Sequence, residues 1–149
     1  MTFEMTPTKT TRCEYTPEDL LRAARKILLI THITPDGDAI GGLLAMGHVL
    51  RAMGKRVTLA CFDVVPLRFA YLPGYGDIVA DSVGAADTAV QAQDSFDYNL
   101  IVSLDCGDLR RVGRASDWRA DDNWQRNIPF LNIDHHATNT FFGTHNWVG

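Results

Sequence analysis

Three short clusters hold the side chains of this sequence best suited to chemistry. They are His32, Asp36 and Asp38 in "THITPDGDAIGG", Asp105 and Asp108 in "LDCGD", and Asp134, His135 and His136 in "NIDHH". Each follows an apolar run that reads as a buried strand. In open parallel sheets the ligand crevice lies at the carboxyl ends of the strands, so clusters far apart in sequence would meet there. Several carboxylates crowded together repel and raise one another's pKa unless cations are present. Carboxylate and imidazole together suit manganese and related divalent ions. A pair of metals about 3.5–4 Å apart needs ligands on both sides, and an acid at the end of the middle strand would serve as the bridge.

Each residue also has a plainer reading. Asp and Gly after a strand are ordinary turn residues, and Asp often caps the next helix. For Asp38 a capping role and a ligand role weigh equally, whereas Asp108 reads first as a turn residue or an acid supporting the ligands. His48 lies in an apolar helical run and is assigned to packing, and Met46 and Met53 to the core. His145 reads as a surface residue. Cys106 has no activating partner outside the cluster, which disfavours a nucleophilic thiol. Pro35 disfavours helix at Thr34, Gly37 permits a tight bend between the two aspartates, and Gly41 and Gly42 would let the following helix pack closely on the sheet.

The elements that must position these clusters alternate in type. Residues 1–14 are polar and aperiodic and read as a loose arm. "TPEDLLRAARK" has helix-start chemistry: Thr16 as cap, Pro17 in the first turn, then Glu18 and Asp19. "KILLITH" is a strand, "AIGGLLAMGHVLRAMG" a helix ended by Gly54, and "KRVTLACF" a second strand. "VPLRFAYLPGYGD" holds a short helix or turn and a Pro-Gly break. Residues 82–95 are Ala-rich and predict a helix, and residues 115–127 a loop or short helix. "YNLIVSLDCGD" and "IPFLNIDHH" are the third and fourth strands. This alternation predicts an α/β fold: a Rossmann-like parallel sheet with helices on both faces and the site at the carboxyl ends of the strands.

The chain has 149 residues, enough for one domain with a real core. Its formal charge of −4 gives no support for an extended nucleic-acid surface but permits a small nucleotide held by a few residues. No apolar run approaches the ~20 residues of a membrane span, and the N-terminus lacks the apolar segment of a signal peptide. A cytoplasmic location is the expectation. Three scattered cysteines read as free thiols.

At "HITPDGDAIGG", "LDCGDLRRVG" and "NIDHHATNTFFGTHNWV" the chain resembles the DHH phosphoesterase superfamily, in order and at sensible spacing over about residues 26–149. Within it the chain is most similar to the nano-RNase/pAp phosphatase group, with cyclic-dinucleotide phosphodiesterases nearby. The resemblance implies two manganese ions, magnesium or cobalt being alternatives. His32 and Asp36 would hold one, Asp38 and His135 the other, and Asp105 would be shared. It implies that His136 faces the scissile phosphate, that Asp134 orients the neighbouring imidazoles, and that Arg111 is a weaker phosphate contact. The implied reaction is metal-assisted hydrolysis of a phosphate ester in pAp, short RNA or cyclic-dinucleotide products; a homodimer is compatible with it. The family carries a further metal-binding aspartate and a smaller, glycine-rich C-terminal domain beyond the Asp-His-His motif. The expectation is therefore a DHH domain over residues 15–149, cut short, with that second domain absent and activity incomplete. The alternatives are a family II pyrophosphatase-like hydrolase and a non-catalytic nucleotide-binding or regulatory remnant.

Overall fold

The computed structural model describes residues 15–80, 97–113 and 128–149. The elements in chain order are α1 (Pro17–Ala23), β1 (Lys26–Thr31), α2 (Gly37–Ala52), β2 (Arg56–Cys61), β3 (Ile78–Ala80), β4 (Leu100–Leu104), β5 (Phe130–Asp134) and β6 (His145–Val148). The expected arm at 1–14, the helix at 82–95 and the segment at 115–127 lie outside the described residues.

Among the described residues six strands form one sheet in the order β3-β2-β1-β4-β5-β6, and every neighbouring pair is parallel. This is an α/β, Rossmann-like sheet. The chain steps outward from β1 to β2 and β3, then returns to lay β4 on the other side of β1. The reversal leaves a crevice between the carboxyl ends of β1 and β4.

The apolar runs alternate faces with the strand period of two. Ile27, Leu29, Leu59, Val102 and Leu131 point into a cluster with Leu20 of α1 and Ile40, Leu43 and Leu50 of α2. Leu28, Ile30, Ala60, Ile101 and Phe130 belong to a second cluster on the opposite face. Both described α-helices pack on the first face. Ile27 through Ile30 are all fully buried, which is why β1 reads as an unbroken apolar run rather than an alternating one.

α1 starts as its sequence predicts. The Thr16 hydroxyl accepts from the Asp19 amide, and the Asp19 carboxylate accepts from the Thr16 amide, a reciprocal capping box with Pro17 in the first turn. The Pro-Gly segment forms two short 3-10 turns, Leu67–Phe69 and Tyr75–Asp77.

Several expectations are corrected. β3 and β6 were not anticipated. Gly41 and Gly42 are not the close-packing glycines: a Cβ on either would meet open space, whereas one on Gly47 would come within 2.7 Å of the Leu59 side chain. Gly47 is therefore where α2 closes on β2. Met53 caps the end of α2 and is exposed, while Met46 packs against the core as expected. His48 is exposed too, and it ties α2 to the Pro73 carbonyl through Nε2 at 2.9 Å. His145 is half-buried on β6, with Nδ1 against the Thr144 hydroxyl.

These contacts separate the α2 glycines by experiment. Gly41→Ala is expected to stabilise the fold by about 0.5–1 kcal/mol, because a mid-helix glycine loses entropy on folding. Gly47→Val is expected to destabilise it by about 1–3 kcal/mol, by driving Leu59 from its packed position. Denaturant unfolding of both variants checks the contrast, and equal effects would contradict the packing described here.

Candidate metal centre

The three clusters meet at the carboxyl ends of β1, β4 and β5. After β1 the chain turns at Thr34, whose φ of 50° is unusual for a β-branched residue. The conformation is supported by Asp63, at the end of β2, which accepts from the Thr34 amide at 2.8 Å. Gly37 is the first residue of α2 and does not make the bend; the bend is at Thr34. The turn delivers Asp36 to the start of α2, where its carboxylate caps the helix by accepting from the Ala39 amide at 3.0 Å. The cap is thus Asp36 and not Asp38, which lies exposed in the first turn.

His32 is 2% exposed. Its Nδ1 lies 2.7 Å from the Ile33 carbonyl. A carbonyl can only accept, so Nδ1 carries the proton and Nε2 presents a lone pair to the crevice. Nε2 lies 3.8 Å from Asp36 Oδ1 and 3.6 Å from Asp105 Oδ2. Arg111 Nη2 approaches His32 Nδ1 at 3.3 Å. With the proton on Nδ1 this is proximity rather than a hydrogen bond, and it places the exposed guanidinium at the rim of the site.

Asp105 follows β4 with φ of 56°. Aspartate tolerates this left-handed conformation better than most residues. Its amide donates to the Ile133 carbonyl at 3.0 Å, so the residue is anchored to β5. Its two oxygens face different partners: Oδ2 approaches His32, and Oδ1 lies 3.0 Å from His135 Nε2 and 3.8 Å from His136 Nδ1. Among the described residues two donor groups with metal-site spacing result, His32–Asp36–Asp105 and Asp105–Asp134–His135–His136, and Asp105 belongs to both. Asp38 is in neither group but lines the same open cleft of about 410 Å³, with Gly42, Asp105, Ile133 and His135.

Asp134 is buried and faces His136, whose Nδ1 donates to Oδ1 at 2.6 Å. Burial alone would raise the Asp134 pKa, but hydrogen bonds from Asn139 and His136 outweigh it and hold the carboxyl below its ordinary value. The same bond to Asp134 raises the pKa of His136, against a smaller opposing effect of burial. The rings of His135 and His136 meet edge to face, 4.9 Å between centroids.

Asp108 caps the 3-10 turn Leu109–Val112 by accepting from the Arg110 amide, and its carboxylate pairs with the Arg110 guanidinium at 2.7 Å. Those bonds to Arg110 hold its pKa down at about 2. Its role here is that of a turn residue. Cys106 is buried and its thiol is pushed up to about 11, chiefly by burial, so it is a poor nucleophile at neutral pH.

Four polar residues of the site escaped the sequence reading: Asp63, Ser103, Asn132 and Asn139. The last three form a buried chain, Ser103 to Asn132 to Asn139 to Asp134. A signal for two of them exists, since Ser103 and Asn132 are lone polar residues inside otherwise apolar strands.

A parallel sheet that gathers imidazoles and carboxylates at its switch point defines a class. The sequence model of the DHH family, N-terminal domain, matches residues 26–148, and the chain belongs to that family. Among curated proteins it is similar to the bifunctional oligoribonuclease and PAP phosphatase NrnA of Thermus thermophilus, 32% identical over 125 residues, covering 78% of this chain and 30% of that protein. Among solved structures it is similar to an exopolyphosphatase-related protein from Bacteroides fragilis, with a TM-score of 0.73 and 27% identity, covering 88% of this chain and 36% of the other. The chain thus spans about a third of the length of these relatives.

The shared carboxylate sets a test. Asp105→Asn keeps a residue that tolerates the left-handed backbone but removes the charge and one metal-binding oxygen. It is expected to abolish most manganese binding in a calorimetric titration while leaving the unfolding midpoint of the metal-free protein nearly unchanged. Asp108→Ala is expected to change manganese affinity by less than about tenfold, the lower end of the usual effect of residues that support metal ligands. Equal losses in the two variants would contradict the shared role of Asp105.

Proposed function

We propose that this chain is the metal-binding domain of a phosphoesterase that hydrolyses phosphate esters of small nucleotides or short oligonucleotides. The observation that carries the reading is Asp105, whose two oxygens face opposite donor groups. The donor chemistry fits manganese: neutral imidazole nitrogens with carboxylates, open on the cleft side. His32 and Asp36 would hold one ion, Asp38 and His135 the other, and Asp105 both. Bound there, the ions would polarise the phosphoryl oxygens and offset the charge of the reacting phosphate.

The chain's own groups then have distinct tasks. Asp36 stays ionised because the Ala39 amide, foremost, lowers its pKa against the opposing effect of burial. His32 keeps Nε2 free by spending its Nδ1 proton on Ile33. Asp134 engages His136 Nδ1, which leaves Nε2 as the nitrogen able to reach a phosphate oxygen. Arg111, at the rim beside His32, would meet another phosphate oxygen. The named activities of the Thermus relative, oligoribonuclease and PAP phosphatase, support the substrate class. The exopolyphosphatase-related neighbour favours a second reading, a phosphoanhydride substrate.

Manganese calorimetry paired with phosphate release from pAp, a short oligoribonucleotide and inorganic polyphosphate tests both readings. The expected outcome is binding of at least one ion and measurable hydrolysis of pAp or the oligonucleotide. For these 149 residues, which cover 30% of the Thermus relative, turnover is expected to be well below that of the full-length relative, since groups that orient a substrate are worth about 7–11 kcal/mol. His135→Ala is expected to weaken manganese binding, and His136→Ala to lower turnover with binding nearly intact. Absence of metal binding would sink the reading, and hydrolysis of polyphosphate alone would shift it to the phosphoanhydride class.

A further inference from the structure

Asn139 sits three residues beyond the Asp-His-His motif and is 8% exposed. Its side chain makes contacts in four directions. Nδ2 donates to Asp134 Oδ2 at 2.6 Å and, more weakly, to the Cys106 carbonyl at 3.4 Å. Oδ1 accepts from the Phe141 amide at 2.7 Å and from Asn132 Nδ2 at 3.2 Å. Asn132 in turn accepts from the Ser103 hydroxyl at 2.9 Å.

The ends of this chain dictate its polarity. Asp134, ionised, can only accept, and the Phe141 amide can only donate. Asn139 must therefore aim its NH2 at Asp134 and its oxygen at Phe141, and Asn132 and Ser103 follow. Asp134 is left with one oxygen on Asn139 and the other on His136 Nδ1. A buried carboxylate with both oxygens engaged cannot rotate without stranding a partner, and stranding a buried polar group is costly.

We propose that Asn139 is a positioning residue: by holding Asp134 Oδ2, it fixes Asp134 Oδ1 on His136 and so sets the orientation of the His136 ring. The Asn139 side chain acts through Asp134, and none of its hydrogen bonds reaches a residue assigned to the metals. The inference deepens the phosphoesterase reading of the site, and its activity arm rests on that reading; its spectroscopic arm does not.

Asn139→Asp keeps the shape and the acceptor toward Phe141 and Asn132 but sets a second carboxylate against Asp134. The exchange Asp134→Asn with Asn139→Asp restores a donor–acceptor pair between the two positions, yet takes the negative charge off His136. A structural role alone predicts that the His136 contact survives Asn139→Asp wherever that variant folds. The positioning role predicts that it is lost, and that the exchange, which removes the Asp134 charge, restores the unfolding midpoint only.

The experiment uses the 149-residue chain and measures the unfolding midpoint, the His136 spectrum, manganese affinity and hydrolysis. In proton–nitrogen spectra of the metal-free wild type, a slowly exchanging His136 Nδ1–H signal is expected, assigned by its loss in His136→Gln. That signal is expected to vanish in Asn139→Asp and to stay shifted or absent in the exchange variant. Manganese titration is expected to give affinities within tenfold of wild type in both. Hydrolysis of pAp, where wild type shows it, is expected to fall about 10–100-fold in both, the usual effect of residues that orient active groups. A wild-type spectrum without the signal overturns the proposal, as does an unchanged signal in Asn139→Asp or full recovery in the exchange variant. Should Asn139→Asp fail to fold, Asn139→Ala, which removes the donor to Asp134 without adding charge, is read by the same signal; an exchange variant that also fails to fold overturns the proposed pairing. A wild type that binds no manganese or leaves pAp intact counts against the phosphoesterase reading, while the His136 signal still judges Asn139.

Discussion

A carboxylate that is 11% exposed in its side chain stands between imidazoles from two other strand ends. Asp105 cannot face both sides by rotamer choice alone. Its backbone is left-handed, which turns the chain sharply off β4, and its amide is bound to Ile133 on the neighbouring strand. A β-branched residue would pay heavily for that conformation, while aspartate carries it at modest cost. The surrounding acids, Asp36, Asp38 and Asp134, add negative charge to the same corner of the fold. Hydrogen bonds relieve Asp134 and Asp36, but Asp38 and Asp105 open onto the cleft. Divalent cations are the economical physical solution to that concentration of charge.

The sheet order makes the convergence unavoidable. β1 and β4 are neighbours although far apart in the sequence: Thr31 pairs with Leu104, so the residues that follow, His32 and Asp105, emerge side by side. Leu104 pairs with Ile133 on β5, which brings Asp134 to the same level. β6 then closes the outer edge, pairing Asp134 with Val148, and the Gly149 amide bonds to the Asp134 carbonyl. Position along each strand therefore translates directly into position in the site.

Much of this was legible because parallel strands buried on both faces write themselves as apolar runs, and charged residues at their ends stand out. "KILLIT" and "LIVSL" are such runs, and His32, Asp105 and Asp134 follow them. β3 and β6 were not legible. β3 has three residues, and "HNWV" in β6 has no apolar run because it is a half-exposed edge strand. Its turn depends on Gly143, where a Cβ would come within 2.4 Å of the His145 carbonyl oxygen, a close approach that no pattern of hydrophobicity records. The buried amides were missed for a related reason. Asn139 looks like a turn residue until the fold brings Asp134, Cys106 and Asn132 around it. Its partners lie as far as 33 residues away.

The start of α2 shows how one residue changes what a common structural device binds. The N-terminus of a helix after a parallel strand offers free amides and a positive dipole end, and it ordinarily receives a phosphate. Here Asp36 occupies that place, with its own carboxylate on the Ala39 amide. The helix end now stabilises a fixed negative charge, and the pKa of Asp36 is lowered by that amide above all other causes. The carboxylate remains 64% exposed and 3.8 Å from His32 Nε2. On the reading proposed above, an anion-binding device would become half of a cation-binding one: the Ala39 amide keeps Asp36 ionised beside His32. On that reading phosphate recognition would pass from the backbone to the cation that the carboxylates hold, with His136 and Arg111 at the margin. Such a transfer would account for two aspartates standing where a glycine-rich phosphate loop would otherwise be expected.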